Sequence, residues 1–142
     1  MPTLKCDSGI EWNYYLEGVE HPKTIIFLHG WGVDSRIWRQ QTKHFSQTFK
    51  VVSVDLPGHG QSTWIKLPLQ AMIDDLKKIL DNLNIHRATV VASSLGGLFA
   101  FKLYATHPSL FERLILVGSM PKFSQSDNYP HGLDVSWMRK LN

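Results

Sequence analysis

Four short runs of this chain are apolar almost without a break. They are Thr24-Ile25-Ile26-Phe27-Leu28, Lys50-Val51-Val52-Ser53-Val54-Asp55-Leu56, Arg87-Ala88-Thr89-Val90-Val91-Ala92 and Leu114-Ile115-Leu116-Val117-Gly118. A strand wetted on one face alternates apolar and polar side chains. A run that does not alternate is buried on both faces, as in a parallel sheet covered by helices. The segments between the runs supply those helices. Ile37, Trp38, Gln41 and Phe45 form a partial stripe behind a cap at Asp34 or Ser35. Leu69, Met72, Ile73, Leu76, Ile79, Leu80 and Leu83 form a full one, with Pro68 in the first turn. That stripe reads as packing, with Asp74 and Lys78 paired on its solvent side. A third helix carries Leu98, Phe101 and Tyr104 and ends before Pro108. Residues 4–16, with Asp7-Ser8-Gly9 as turn chemistry, read as a leading β-hairpin. Hairpin, then strand and helix in alternation, predicts a doubly wound α/β sheet in three layers. The sheet is mostly parallel, with an N-terminal antiparallel hairpin.

Length and composition exclude several other classes. A chain of 142 residues is one domain by size. Its net charge of +3 comes from scattered Lys and Arg, with no dense basic run for a nucleic-acid groove. Cys6 is the single cysteine, so no internal disulfide can form, and a small apolar filler is its expected role. The first residues lack the apolar core of a signal peptide, and no run is long enough to span a bilayer. A cytoplasmic protein with no membrane contact is expected. No spacing suggests a metal site, and no cofactor is expected.

The reactive groups of a doubly wound sheet gather where strands end at their carboxyl edge. Three loops of unusual composition leave that edge: His29-Gly30-Trp31-Gly32, Pro57-Gly58-His59-Gly60-Gln61-Ser62, and Ser93-Ser94-Leu95-Gly96-Gly97. The third reads as strand, sharp turn, helix. It follows the pattern G-x-S-x-G, with Ala92 at the first position. Gly96 sets the register, which puts Ser94 at the apex. A larger side chain at 92 or 96 would strike neighbouring backbone. The turn lifts the Ser94 hydroxyl clear of the sheet, beside the backbone N–H groups that open the helix.

Together these residues resemble the α/β-hydrolases. His29 to Gly32 is similar to the family's oxyanion loop, and Asp55-Leu56-Pro57-Gly58-His59-Gly60-Gln61-Ser62 to its D-x-P-G-x-G-x-S loop. The same segments, with Thr106-His107-Pro108 and Ser119-Met120-Pro121-Lys122-Phe123, are similar to the BioH-type carboxylesterases, which cleave the methyl ester of pimeloyl-acyl-carrier protein in biotin synthesis. The resemblance implies an α/β-hydrolase fold, truncated, with core at residues 1–120 and the start of a lid at 121–142. It implies Ser94 as nucleophile and the N–H groups of Trp31 and Leu95 as oxyanion donors, with Trp31 also touching substrate. His29, Gly30, Gly32, Asp55, His59 and Gly96 shape the site loops, with Asp55 accepting loop N–H bonds. The partner implied is an acyl ester, carried on an acyl-carrier protein in the finer reading.

The chain matches about the first half of such a domain. The acid and histidine of the triad belong to later strands and are expected to lie outside it. His29 and His59 are not the family's base, and the other histidines read as surface or helix-end residues. Two function classes remain open: a serine carboxylesterase, and a non-catalytic binding or assembly module that keeps the hydrolase architecture. The fourth strand, residues 114–118, is expected to be an uncovered apolar edge. Such an edge favours self-association through edge pairing or a lid swap. A short helix is expected near Val135, and Arg139 and Lys140 read as a solvated pair.

Overall fold

The computed structural model describes residues 2–119, 122, 124–130 and 132. A six-stranded sheet runs in the order β1-β2-β4-β3-β5-β6. The hairpin is β1 (Thr3–Lys5) and β2 (Glu11–Glu17), antiparallel to each other. β2 also lies antiparallel on β4 (Lys50–Val54). From there β4, β3 (Thr24–Leu28), β5 (Ala88–Ser93) and β6 (Phe111–Val117) are parallel.

Alternate residues of the buried strands feed two cores, one on each face. Ile26 and Leu28 pack with Val52, Val54, α2 (Leu69–Asn82) and α3 (Leu95–Thr106). Ile25, Phe27 and Val51 pack with Trp38 and, beside it, Phe45 from α1 (Arg39–Phe45). Every residue of β3 is buried, as a strand sandwiched by helices must be. Trp38 stacks on Phe27 with ring centroids 5.0 Å apart.

Several boundaries and contacts differ from expectation. Asp34 is the cap, as expected, its carboxylate accepting from the Arg36 N–H at 3.0 Å, but the first turn it opens is 3₁₀ (Ser35–Trp38) rather than α. The strand at 50 stops at Val54, because Asp55 and Leu56 turn into the loop that follows. Pro68 precedes α2 rather than sitting in its first turn, since its ψ of 145° is extended. Asp74 and Lys78 do not pair. Asp74 accepts from Gln70, while Lys78 reaches across to Asp7 of the hairpin turn. The i,i+4 pair on α2 is Lys77 with Asp81. The last strand begins at Phe111, three residues before the apolar run, and Gly118 leaves it at φ +57°. The helix expected near Val135, and Arg139 and Lys140, lie outside the described residues.

Candidate active site

Ser94 stands between β5 and α3 with φ +48° and ψ −113°. An L-residue rarely enters that region, and it persists only where surrounding structure over-determines it. Three contacts do so here. The Ser94 N–H donates to Val117 O at 3.2 Å, and Ser94 O accepts from Gly97 N at 2.9 Å. Behind the turn, a Cβ on Gly96 would lie 2.5 Å from Leu28 O and 2.6 Å from His29 O. Only glycine lets α3 leave this close to β3. Gly97 is equally constrained, because a Cβ there would meet Ser119 Cβ at 2.3 Å.

The loop after β3 lies directly against this turn. A Cβ on Gly30 would come within 3.1 Å of Ser94 Cβ and 3.8 Å of its Oγ. Within that loop His29 is fully buried and its two ring nitrogens are both engaged. Nδ1–H donates to Gly30 O at 2.7 Å, and Nε2 accepts from the Leu56 N–H at 2.9 Å. Those partners require the neutral ring, and burial pushes the imidazole pKa below its ordinary 6.5. His29 thus ties the loop after β3 to the loop after β4 and has no nitrogen left for proton transfer.

Asp55 organises the second loop. Its carboxylate is buried and accepts from Asn13 Nδ2 at 2.9 Å, the Ser35 N–H at 3.0 Å and the Gln61 N–H at 3.0 Å. Gly60, at φ +53°, passes so close that a Cβ would fall 2.3 Å from Asp55 Oδ2. His59, held by Nδ1–H to Pro57 O at 3.1 Å, meets the edge of Trp31 with centroids 5.6 Å apart. Gly32, at φ +74°, completes the turn that projects Trp31, which is 74% exposed.

Beside the turn lies an apolar cavity of about 610 Å³. Trp31 and Leu95 line it together with His59, Trp64, Met72 and Leu98. Leu69 and Met72 thus serve the cavity as well as the core, a correction to reading the whole α2 stripe as packing. Trp64 and Leu98 carry no sequence signal of such a role. Only the fold turns the segment after β4 towards the start of α3. Among the described residues, the N–H groups of Trp31 and Leu95 donate to no protein acceptor, and no imidazole is hydrogen-bonded to Ser94 Oγ.

Residues 23–141 match the family described as alpha/beta hydrolase fold. The chain belongs to the α/β-hydrolase family. Among its relatives is the AB hydrolase superfamily protein YisY of Bacillus subtilis, 32% identical over 84% of this chain and 46% of its own length. The pimeloyl-[acyl-carrier protein] methyl ester esterase of Pseudoalteromonas atlantica is 34% identical over 83% of this chain and 45% of its own length. A solved N-acyl homoserine lactone degrading enzyme, Est816, superposes with a TM-score of 0.77 at 32% identity, covering 83% of this chain and 45% of that one. The fold also matches an esterase of Exiguobacterium antarcticum with a TM-score of 0.86 over 98% of this chain and 53% of that one, at 24% identity. The chain spans about half the length of the curated relatives it matches. None of the described helices is long and apolar enough to cross a membrane.

Proposed function

We propose that this α/β-hydrolase chain carries the nucleophile half of a serine carboxylesterase. The strained turn at Ser94 is the observation that supports it most directly. Strained backbone costing roughly 1–3 kcal/mol clusters at sites where a side chain does chemistry, and the Ser94 side chain is half-buried beside the cavity. In this reading the turn is a nucleophile elbow. Ser94 Oγ gives its proton to a base supplied from outside these residues and attacks an ester carbonyl. The alcohol leaves carrying that proton, and water hydrolyses the acyl-enzyme. The oxyanion forms between the N–H groups of Trp31 and Leu95, which have no protein acceptor of their own among the described residues. Losing one such donor costs about 3 kcal/mol of barrier. The apolar cavity takes the carbon chain of the ester, with Trp31 at its mouth.

The finer reading is a pimeloyl-acyl-carrier-protein methyl ester esterase in the cytoplasm. It draws on the relatives that bear that name and on the His29–Gly32 and Asp55–Ser62 loops. Residues 1–120 belong to the hydrolase core and 121–142 begin the lid. The triad acid and histidine come from outside the 142 residues. The chain by itself associates with a second copy, through the edge of β6 or by exchange of the lid segment.

A fluorophosphonate probe tests the site. The adduct is expected on Ser94 and is abolished by Ser94→Ala. An adduct on another serine, with Ser94 untouched, would remove the assignment. Failure of all labelling when the acid- and histidine-bearing remainder is supplied would favour the alternative, a binding module that keeps the elbow as architecture.

A further inference from the structure

A second cavity, of about 370 Å³, lies between α1 and the β2–β4 side of the sheet. It shares no lining residue with the apolar cavity beside Ser94. Hydroxyl groups form its inner wall. Ser35 is 5% exposed, and its Oγ has no hydrogen-bond partner among the described residues. Thr42 and Ser53, also buried, share one long contact of 3.4 Å between their oxygens. One of those two hydroxyls must donate to the other, so two of the three protons on this wall have no acceptor among the described residues. A buried hydroxyl left unpaired is destabilising, a cost an occupant that accepts hydrogen bonds would relieve.

Cations stand at the mouth. Arg36 is committed to Asp34, with the guanidinium on both carboxylate oxygens at 2.7 to 3.1 Å, and this hydrogen bonding holds the Asp34 carboxyl down at about 2. Arg39 and Lys43 are different. They sit four residues apart on α1, line the same cavity and form no ion pair among the described residues. Like charges at that spacing destabilise a helix unless something lies between them. Glu17 lines the cavity too, yet pairs with neither.

We propose that this cavity binds a phosphomonoester, with its phosphoryl group against Arg39, Lys43 and the Ser35 hydroxyl. Two unclaimed cations match a dianion. Ammonium, guanidinium fork and hydroxyl donors approaching from the wall and the mouth suit a tetrahedral group with three free oxygens better than a planar carboxylate. The cavity is larger than a phosphate ion, and Tyr15 lines it, so an organic substituent fits beside the phosphoryl group.

Calorimetric titration of the 142-residue chain, at fixed ionic strength in sodium chloride, tests this with phenyl phosphate, inorganic phosphate and malonate. Phenyl phosphate is expected to bind tighter than either of the others. The Arg39→Gln/Lys43→Gln double variant should weaken it by at least ~10-fold, the scale of losing one or two charge-assisted bonds. Ser35→Ala should weaken it less, and Glu17→Gln should tighten it by removing a carboxylate from the lining. All four positions lie outside the Ser94 site, and circular dichroism melting of each variant reports whether the fold persists. Equal affinity for phenyl phosphate and inorganic phosphate would overturn the organic substituent, and tighter malonate binding would overturn the phosphoryl group. Unchanged affinity in a folded double variant, or no heat above that of sodium chloride, would show that the cavity holds only water.

Discussion

Only Asn84 and Ser94 hold a positive φ without being glycine among the described residues. For Ser94 the strain predicts a conflict between stability and chemistry. Glycine adopts that backbone freely, whereas alanine suffers the same clash as serine. Relief of roughly 1–3 kcal/mol of strain, less about 0.5–1 kcal/mol for the freer unfolded chain, leaves Ser94→Gly about 1 kcal/mol more stable than Ser94→Ala. Urea unfolding of the two variants measures this difference, and equal midpoints would mean the turn is not strained. His29 supports a second prediction. Its folded pKa lies below 6.5, so the unfolded chain binds the proton more readily. The stability this ring contributes is complete above the unfolded value and is lost as pH falls through the folded one. Unfolding free energy should therefore drop as pH is lowered from 6.5, and His29→Gln should flatten that part of the profile.

Between elements, the hairpin and α2 are joined by one buried carboxylate. Asp75 accepts from Ser8 Oγ at 2.5 Å and from Trp12 Nε1 at 3.1 Å. Its exposure is 3%. Asp75→Ala would strand the buried Trp12 N–H and the half-buried Ser8 hydroxyl, so a loss of about 2–4 kcal/mol in urea unfolding is expected. Asp75→Asn, which keeps one acceptor, should lose less. The Cys6 thiol beside it is pushed up to about 11, first by burial and then by the Asp75 charge. A thiol that is neutral and buried reacts slowly. Ellman's reagent at pH 8 should modify Cys6 only at the rate of unfolding, and Asp75→Ala should speed the reaction.

Taken as a whole, the 142-residue chain has one helix-backed face that is more complete than the other. Among the described residues, α2 and α3 cover one side of the sheet, while α1 and the 3₁₀ turn before it pack on the other. β6 is the outer strand, paired on one side with β5, and Ile115 and Val117 are each 49% exposed. Unpaired backbone groups beside apolar side chains favour pairing with another chain. Two copies can pair such edges antiparallel about a two-fold axis. Light scattering at micromolar concentration should report a dimer or larger, and Leu116→Lys should shift it towards monomer. A wild-type monomer would rule this out. Turnover should also be weak in this chain by itself, because no imidazole is bonded to Ser94 Oγ among the described residues. The oxyanion donors and binding alone leave a residual ~10³–10⁴-fold over water. Turnover of p-nitrophenyl butyrate near ~10 s⁻¹ would mean that a base is present after all, and His59→Ala would then test the free nitrogen of that ring.

Much of this was legible in the residues because it depends on local chemistry. Unbroken apolar runs between turn residues read as strands, and Gly96 two places after Ser94 permits only one register for the turn. β3 is buried on both faces as its run predicts, whereas Ile115 and Val117 of β6 are half exposed because β6 is the outer strand. The α/β architecture and its antiparallel hairpin follow from such patterns. Strand ends were less legible. Phe111 and Arg113 pair with β5, with a bulge that skips Glu112, although this segment is not an apolar run; an edge strand needs a partner on one side only. Lys78 chose Asp7 over Asp74 for the same kind of reason, since only the folded chain brings the hairpin turn to α2. The apolar cavity and the Arg39–Lys43 cavity were invisible in sequence. Their walls come from β2, β4, α1, α2, α3 and the loops between, and no spacing along the chain encodes a distance across it. Tertiary structure alone decided that His29 would be spent on two backbone groups. Burial fixed its tautomer, and its neighbours used both nitrogens.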